Sequence, residues 1–164
     1  MGALNAVPDA FASPRNRPLP ALRPYQAEAL RAIAESVRGR RGLSFSVEIA
    51  RQGGKNELSA QLELLLLATH AARAVDSVKA APTFSPQARL SMRRLWQRID
   101  QAGLAALAFR EAGHIVGLGR ARQLFLSAEP AANVVGHTAH LLLEVDEAQD
   151  VDPDKFDRDF RPMA

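Results

Sequence analysis

The sequence predicts an α/β sandwich with a mainly parallel central sheet. Stretches with the alternating pattern of strands occur in turn with stretches of helical period along most of the chain. The 164 residues are 47% hydrophobic and 24% charged, which is the composition of one globular domain with its own core. Apolar runs are only a few residues long, far below the ~20 residues that a membrane span needs. We therefore expect a soluble protein that has no membrane partner.

The first half of the chain is expected to contain an arm, two helices and one strand. Residues 1–21 hold four prolines and no apolar period, which predicts an extended Pro-rich arm ahead of a domain over 22–164. An apolar stripe at helical spacing predicts a helix over 25–38. Strict alternation of apolar and polar residues predicts a strand over 43–50, and a second helix is expected over about 56–72.

The second half is expected to supply the remaining strands and one more helix. A short strand is predicted over 75–81, followed by a helix over 87–101. Two apolar runs near 114–118 and 124–127 are separated by a glycine-containing turn, which predicts a hairpin. The segment 139–150 is an apolar strand that ends in acidic residues.

Charge is unevenly distributed along the chain. The net charge is +3, but residues 73–122 carry nine basic and three acidic side chains, and residues 144–164 carry three basic and eight acidic ones. This pattern suits a protein that meets a polyanion on one surface and a cation at another, although two solvated faces would produce it as well. The chain has no cysteine, which excludes disulfides, thiolate zinc sites and a cysteine nucleophile.

A glycine-lysine loop over 51–56 lies between a predicted strand and a predicted helix. Glycines let backbone N–H groups converge on an anion, the helix directs its positive end at the same point, and Lys55 can reach a terminal phosphate. The loop departs from the usual phosphate-binding pattern, because Ile49 replaces the first glycine and Asn56 replaces the serine or threonine. A tight turn with a surface lysine is the alternative interpretation.

Two adjacent carboxylates follow the apolar strand 141–145. Buried strands seldom end in paired acids unless something compensates the charge. In phosphoryl transfer, Asp146 would hold Mg²⁺, directly or through water, and Glu147 would orient and deprotonate the attacking water. An acidic strand end that points into solvent is the alternative.

An aromatic residue and an amide open the first helix. Tyr25 could stack on a nucleotide base, and the side-chain amide of Gln26 offers both a donor and an acceptor to an adenine edge. A helix start with an exposed amide is the alternative.

Four arginines on the helix over 87–101 form a candidate DNA-binding surface. They are Arg89, Arg93, Arg94 and Arg98. Their spacing places them in two adjoining pairs that can contact DNA phosphates, in which case affinity should fall steeply with salt. A solvated helix face is the alternative.

Four segments, in this order, resemble the ATPase domain of the large terminase subunit of tailed bacteriophages. They are RPYQ (23–26), ARQGGKNEL (50–58), AAPTFSPQA (80–88) and LLLEVDEAQD (141–150). The resemblance covers about residues 22–164. It implies a P-loop NTPase-type three-layer sandwich that hydrolyses ATP with Mg²⁺.

The resemblance also implies roles for individual residues. The nucleotide-binding set is Tyr25, Gln26, Arg51, Gln52, Gly53, Gly54, Lys55 and Asn56. Within it, Lys55 binds the β- and γ-phosphates, Arg51 contacts the γ-phosphate and is counted with the catalytic residues, and the amide of Asn56 faces the metal or its water. Asp146 is the metal carboxylate, and Glu147 is the general base.

By the same resemblance, the partners are double-stranded DNA, the portal protein, the small terminase subunit and other copies of the chain in a ring. No leader pattern opens the sequence, and the expected location is the cytoplasm of a bacterial host. The chain stops soon after Glu147, so we expect a partial domain with an incomplete sheet and without the nuclease domain. A fragment of a DEAD-like helicase or translocase, and a truncated inactive remnant, are the other interpretations.

Overall fold

A five-stranded mixed sheet forms the centre of the computed structural model, which describes residues 18–134 and 136–164. The strands are β1 (Asp76–Ala81), β2 (Ala108–Glu111), β3 (Ile115–Leu118), β4 (Ala121–Ser127) and β5 (Leu143–Val145). Their order is β2-β3-β4-β1-β5. β1 pairs in parallel with β4 and β5, and β3 is antiparallel to both β2 and β4, so four of the five strands run in the same direction. The predicted α/β class is confirmed.

Helices cover the sheet. They are α1 (Pro24–Arg38), α2 (Lys55–His70), α3 (Arg89–Gln101) and the short α4 (Pro153–Lys155), which continues into turns over Phe156–Phe160 and Arg161–Met163. Proline at its first position favours the start of α1, because the missing N–H would have no intrahelical partner there. The helices predicted over 25–38, 56–72 and 87–101 are confirmed to within two residues at each end. Across 18–134 and 136–164, none of the helices has the length and apolar character needed to cross a membrane.

The core lies on both faces of the sheet. On one face, α2 and α3 contribute Leu67, Leu95 and Ile99, which pack with Val116 and Phe125 of the sheet. On the other face, the C-terminal turns contribute Phe160 and Met163, which pack with Val78, Leu124 and Leu126. The sheet therefore has a helical layer on one side and a thinner layer of turns on the other.

The strand predicted over 43–50 is wrong. These residues are extended, but within the described part of the chain they join no strand. Leu43, Phe45 and Val47 are 53%, 41% and 37% exposed, so the alternating apolar residues have no face to pack against. The amide of Leu43 donates to Ser36 Oγ at 3.3 Å, which ties the start of the segment to α1. Alternation predicts a strand only where a neighbouring edge is available for pairing.

Smaller differences concern the arm, the hairpin and the last strand. The predicted arm over 1–21 lies outside the described residues as far as residue 17. From residue 18 onward, the chain packs on the domain, and the carbonyl of Pro20 accepts a hydrogen bond from Gln61 Nε2 at 2.7 Å. The predicted hairpin is confirmed as β3 and β4, and β2, which was not predicted, adds to it. The ordered strand within 139–150 is only the three residues of β5.

Candidate functional site

The loop over 51–56 leads from the extended segment into α2 through two left-handed residues. The N–H of Gly53 donates to the carbonyl of Ala50 at 2.8 Å and closes a tight turn. Gln52 has a φ of 61° and Gly54 a φ of 85°, and Gly54 is the residue at which α2 begins. A Cβ on Gly54 would lie 2.4 Å from Gln26 Nε2. Both the backbone angle and the close approach therefore require glycine at this position.

Gln26 holds the loop in place. Its side chain is buried, and Nε2 donates to the carbonyls of Gly53 at 3.1 Å and Gly54 at 2.9 Å. Its Oε1 accepts from the N–H of Arg23 at 2.7 Å, which caps α1. Both amide hydrogens are used inside the protein. The predicted contact between this amide and an adenine edge stays a prediction, and it would require one of the loop bonds to break.

Tyr25 contacts the same loop but keeps its ring accessible. Its hydroxyl donates to the carbonyl of Gly53 at 2.8 Å and accepts from Arg23 Nη1 at 2.9 Å. The ring is 44% exposed and lines an open cavity of about 450 Å³. The other residues lining the cavity are Arg23, Glu48, Ile49, Ala50, Arg51, Gln52 and Gly53. This cavity is the place beside the loop where a base could lie against Tyr25.

Lys55 joins the loop to the acidic end of β5. Its Nζ lies 2.8 Å from Asp146 Oδ1 and 2.6 Å from Glu147 Oε1, although Glu147 is 92 residues further along the chain. Glu147 has a left-handed backbone with a φ of 49°, and its N–H donates to Asp146 Oδ1 at 3.1 Å. Gln149 Nε2 donates to the second oxygen of Glu147 at 2.7 Å. The two motifs that the sequence singles out are therefore in direct contact.

The charges of this cluster stabilise one another. Burial alone would lower the pKa of Lys55, but the hydrogen bonds and charges of Asp146 and Glu147 outweigh burial and raise it. The hydrogen bond from Lys55 lowers the pKa of Glu147, and the bond from Gln149 and the charge of Arg51 act in the same direction. At neutral pH the site consists of a lysine cation between two carboxylate anions. An arriving phosphate competes with these carboxylates for Lys55.

The two predicted Mg²⁺ ligands have different surroundings. Asp146 has its carboxylate at the end of β5, beside Lys55, whereas Asn56, in the first turn of α2, lines a cavity next to α3. Across 18–134 and 136–164, no group of three or more His, Asp or Glu side chains could hold a metal ion. Mg²⁺ commonly takes one or two protein ligands and completes its shell with phosphates and water, and its binding at Asp146 and Asn56 stays a prediction.

The four arginines singled out on α3 have different surroundings. Arg98 is committed to Glu57 in a bidentate ion pair, with Nε–Oε1 at 2.8 Å and Nη2–Oε2 at 2.7 Å. Because Glu57 lies in the first turn of α2, this pair fixes α3 to the helix that carries Lys55. Arg93 and Arg94 line a cavity of about 260 Å³ together with Asn56. The guanidinium of Arg89 lies 5.9 Å from the centre of the Phe84 ring.

A buried ionic cluster beneath the site was not predicted. Lys79 of β1 lies within 3.2 Å of an oxygen of Glu63, of Glu144 and of Ser59. One signal in the sequence could have revealed it. Lys79 stands between Val78 and Ala80, and Glu63 interrupts the leucine-rich stretch of α2. Charged residues in such stretches are retained only when they are paired.

Comparison with known proteins gives no match, either to a protein-family model, to a curated protein or to a solved structure. The function is therefore inferred from the contacts of the loop, the acidic pair and the helices that position them. The contacts of Lys55 are the most informative of these, because they unite two motifs that are distant in the sequence.

Proposed function

We propose that the chain is an ATP-hydrolysing motor module of the terminase large-subunit type, which powers the packaging of double-stranded DNA into a procapsid. The observation that carries this proposal is the contact of Lys55 with both Asp146 and Glu147. A lysine on a glycine-containing loop at a helix N-terminus, next to two carboxylates at a strand end, is the set of groups that phosphoryl transfer from ATP requires.

Phosphate binding uses the loop and the start of α2. The backbone N–H groups of residues 52–56, other than that of Gly53, which closes the turn onto Ala50, attract the phosphates of ATP together with the positive end of a 16-residue helix. Lys55 exchanges its carboxylate partners for the β- and γ-phosphate oxygens. In this proposal Arg51, whose charge helps to lower the pKa of Glu147, contacts the γ-phosphate. Tyr25 offers its exposed ring face to the base.

Hydrolysis uses the carboxylate that Lys55 releases. Glu147 accepts a proton from a water molecule as the water oxygen forms a bond to the γ-phosphorus, and the bond from that phosphorus to the β–γ bridging oxygen breaks. The hydrogen bond from Gln149 and the charge of Arg51, which also lower the pKa of Glu147, remain after Lys55 has moved and keep the carboxylate ionised at neutral pH. Mg²⁺, when bound at Asp146 and Asn56, neutralises charge on the phosphates.

The partners follow from the same proposal. They are double-stranded DNA, the portal protein, the small terminase subunit and further copies of the chain in a ring, in the cytoplasm of a bacterial host. The DNA-contacting surface is α3, where Arg93 and Arg94 lie next to Asn56. Binding of DNA at these arginines would directly change the surroundings of Asn56, in the first turn of α2.

One observation favours a second candidate, a nucleotide-binding module without turnover. The segment 43–50, which leads into the loop, is outside the sheet within the described residues. Tyr25 and Gln26 hold the loop at Gly53 and Gly54, but the described sheet gives no support to the residues that precede it. Such a loop could bind a nucleotide and still fail to position the γ-phosphate for attack.

Calorimetric titration with Mg·ATP, followed by a turnover assay with DNA present, tests the proposal. Lys55→Ala should lose one charge-assisted contact and bind ATP roughly tenfold to a hundredfold more weakly. Glu147→Gln should keep ATP binding and lose turnover by roughly a hundredfold or more. Arg161→Ala, which removes a charge from an exposed ion pair, is the matched control and should behave as the wild type.

Two results would contradict the proposal. A wild-type protein that does not bind Mg·ATP would show that the loop is only a turn. Saturable binding that depends on Lys55, with no turnover when DNA is added, would favour the second candidate.

A further inference from the structure

Three residues of α2 form a polar stripe that faces the sheet. The α2 stripe consists of Lys55, Ser59 and Glu63. They are four residues apart, so they lie on one face of the helix and are separated by about 6 Å along its axis. In a strand, every second residue faces the same way, and the separation is about 6.6 Å. A helix and a strand with these two spacings can match polar residues pairwise over two turns.

Two residues of the stripe are matched in this way by β5 and the residue that follows it, and the third contacts the neighbouring strand β1. Lys55 contacts Asp146, and one turn further along α2 the hydroxyl of Ser59 donates to Glu144 Oε1 at 2.5 Å. Another turn on, Glu63 contacts Lys79 of β1 at 3.2 Å. These contacts fix the position of α2 along β5, because a shift of the helix by one residue would turn the polar partners away from each other.

Lys79 is the centre of this arrangement. Its ammonium group donates to Ser59 Oγ at 2.5 Å and lies 3.2 Å from Glu63 Oε1 and 3.1 Å from Glu144 Oε1. All three of its N–H donors are therefore used. Lys79 also stands directly opposite Glu144 in the register of β1 and β5. Lys79 belongs to β1 and therefore connects α2 on one side to β5 on the other.

The cluster is costly to bury. Two carboxylates share one ammonium, and the second oxygens of Glu63 and Glu144 have no hydrogen-bond partner in the described structure. Burial raises the pKa of Glu63 to about 7, and the charge of Glu144 adds to that increase. A well-packed apolar cluster would stabilise a fold at least as well as such a group. Its charges are therefore better explained by the geometry that they impose on β5.

β5 needs such a restraint. It has three residues, and within the described chain it pairs only with β1. The N–H of Asp146 donates to the carbonyl of Ala80 at 2.8 Å, which ties the first residue of the acidic pair to β1. When a phosphate binds Lys55, the contact between Lys55 and Asp146 is lost. The contacts of Ser59 and Glu63 must then hold the strand.

We propose that Lys79 is a positioning residue, which through Glu144 and the α2 stripe keeps Asp146 and Glu147 in place beside the loop after a phosphate has drawn Lys55 away. The proposal rests on the proposed function, because it assigns Lys79 a part in the hydrolysis of a nucleoside triphosphate at the same site. Lys79 itself touches neither the nucleotide nor the attacking water.

The test compares two buried lysines in the full chain. Lys79→Met removes the charge and keeps the length of the side chain. Lys155→Met is the matched control, because Lys155 is equally buried but pairs with Asp159, 2.6 Å away, among the C-terminal turns. Steady-state ATP turnover is measured for both variants, and amide hydrogen exchange is measured with and without Mg·ATP.

Lys79→Met should lower kcat at least tenfold and change KM less than threefold, because the phosphate-binding groups remain while the base is misplaced. The amides of β5 and of Asp146 and Glu147 should exchange at least tenfold faster in Lys79→Met, and the difference should be largest with Mg·ATP bound. Lys155→Met should change neither kcat nor the exchange of β5. Equal exchange and equal kcat in Lys79→Met and the wild type would overturn the proposal.

Two further arms keep the test decisive. If Lys79→Met does not fold, the double variant Lys79→Met/Glu63→Gln removes one buried carboxylate together with the cation and should show the same effects. If the wild type does not hydrolyse ATP, the proposed function fails, but the exchange of the β5 amides without nucleotide still decides whether Lys79 positions the strand.

Discussion

Gly54 is the residue on which the loop depends most directly. It has a φ of 85°, and Gln26 Nε2 lies where a Cβ would stand. The amide of Gln26 is at the end of a side chain and can swing away, but only by breaking its two bonds to the loop carbonyls. The loop and α1 are therefore locked together at a position where only glycine fits.

Gly54→Ala should destabilise the fold by more than the matched variant Gly113→Ala. Both glycines have positive φ, for which alanine costs roughly 1–2 kcal/mol, but Gly113 has open space around it. At Gly54, displacement of the Gln26 amide breaks its two bonds to the loop carbonyls, which adds roughly 1–3 kcal/mol. Urea unfolding measures the difference, and ATP affinity should fall only in Gly54→Ala. Equal destabilisation by the two variants would show that the Gln26 contact is weak.

Glu63 gives the stability of the protein a particular dependence on pH. Its pKa is raised from 4.5 to about 7 in the folded state, because it is buried and lies near Glu144. Between these two values the folded state holds a proton that the unfolded state has released. The contribution of Glu63 is therefore most favourable below about pH 4.5 and is lost as the pH rises to about 7.

The variant Glu63→Gln should remove this dependence. The loss in the wild type between pH 4.5 and pH 7 amounts to roughly 3 kcal/mol, at about 1.4 kcal/mol per pH unit. The free energy of unfolding in urea is measured at intervals from pH 4.5 to pH 8 for both proteins. The difference between them reports on Glu63 and its coupling to Glu144 and Lys79, because titrating groups outside this cluster cancel. A difference that does not change with pH would contradict the raised pKa.

At the scale of single residues, the sequence predicts those whose chemistry is specific and misses those whose partners are distant. Lys55, Asp146 and Glu147 are predicted because a glycine-lysine loop and an acidic strand end are recognisable without a fold. The clamp by Gln26 and the ion pair of Arg98 with Glu57 are not predicted. Both depend on how one helix lies against another, which no local pattern specifies.

At the scale of elements, the three long helices are predicted well and the strands less well. Helical period and capping are local, so α1, α2 and α3 could be located from the sequence. A strand also needs a partner edge, and the segment 43–50 shows the consequence. Its alternation is as regular as that of a strand, but within the described residues it has no pairing. β5 is an edge strand of the sheet and is only three residues long, so it offers little backbone for a further strand to pair with.

Val47→Ser tests whether 43–50 is outside the sheet in solution. Val47 is 37% exposed, so serine should change the free energy of unfolding by no more than about 0.5 kcal/mol. The matched variant is Val78→Ser in β1, where the side chain is fully buried and the cost should be roughly 2–4 kcal/mol. Urea unfolding at one pH measures both. A similar cost at the two positions would place 43–50 within the sheet.

At the scale of the whole molecule, the charges that the sequence segregates are only partly available to a partner. Residues 73–122 have six more basic than acidic side chains, but several of these cations have internal roles. Lys79 is buried, Arg98 pairs with Glu57, and Arg122 pairs with Asp76 at 2.8 Å. The guanidinium of Arg110 lies 4.2 Å from the centre of the Trp96 ring. Under the proposed function, DNA phosphates would contact the part of α3 that lines the cavity beside Asn56.

Salt dependence of DNA binding distinguishes the arginines on this surface from those with internal roles. Each phosphate contact contributes about 0.9 to the slope of log affinity against log salt for duplex DNA. Arg93→Ala and Arg94→Ala should each lower that slope by about this amount. Arg98→Ala should leave the slope unchanged and instead cost roughly 1–3 kcal/mol of stability, because it removes the bidentate partner of Glu57.

Fluorescence anisotropy with labelled duplex, from 50 to about 200 mM salt, measures the slopes. Arg158→Ala, which removes an exposed cation from the acidic C-terminal region, is the control and should leave the slope as it is. A slope that falls for Arg98→Ala but not for Arg93→Ala or Arg94→Ala would mean that the ion pair with Glu57 opens to bind DNA, and that α2 and the phosphate loop are released from α3 when it does.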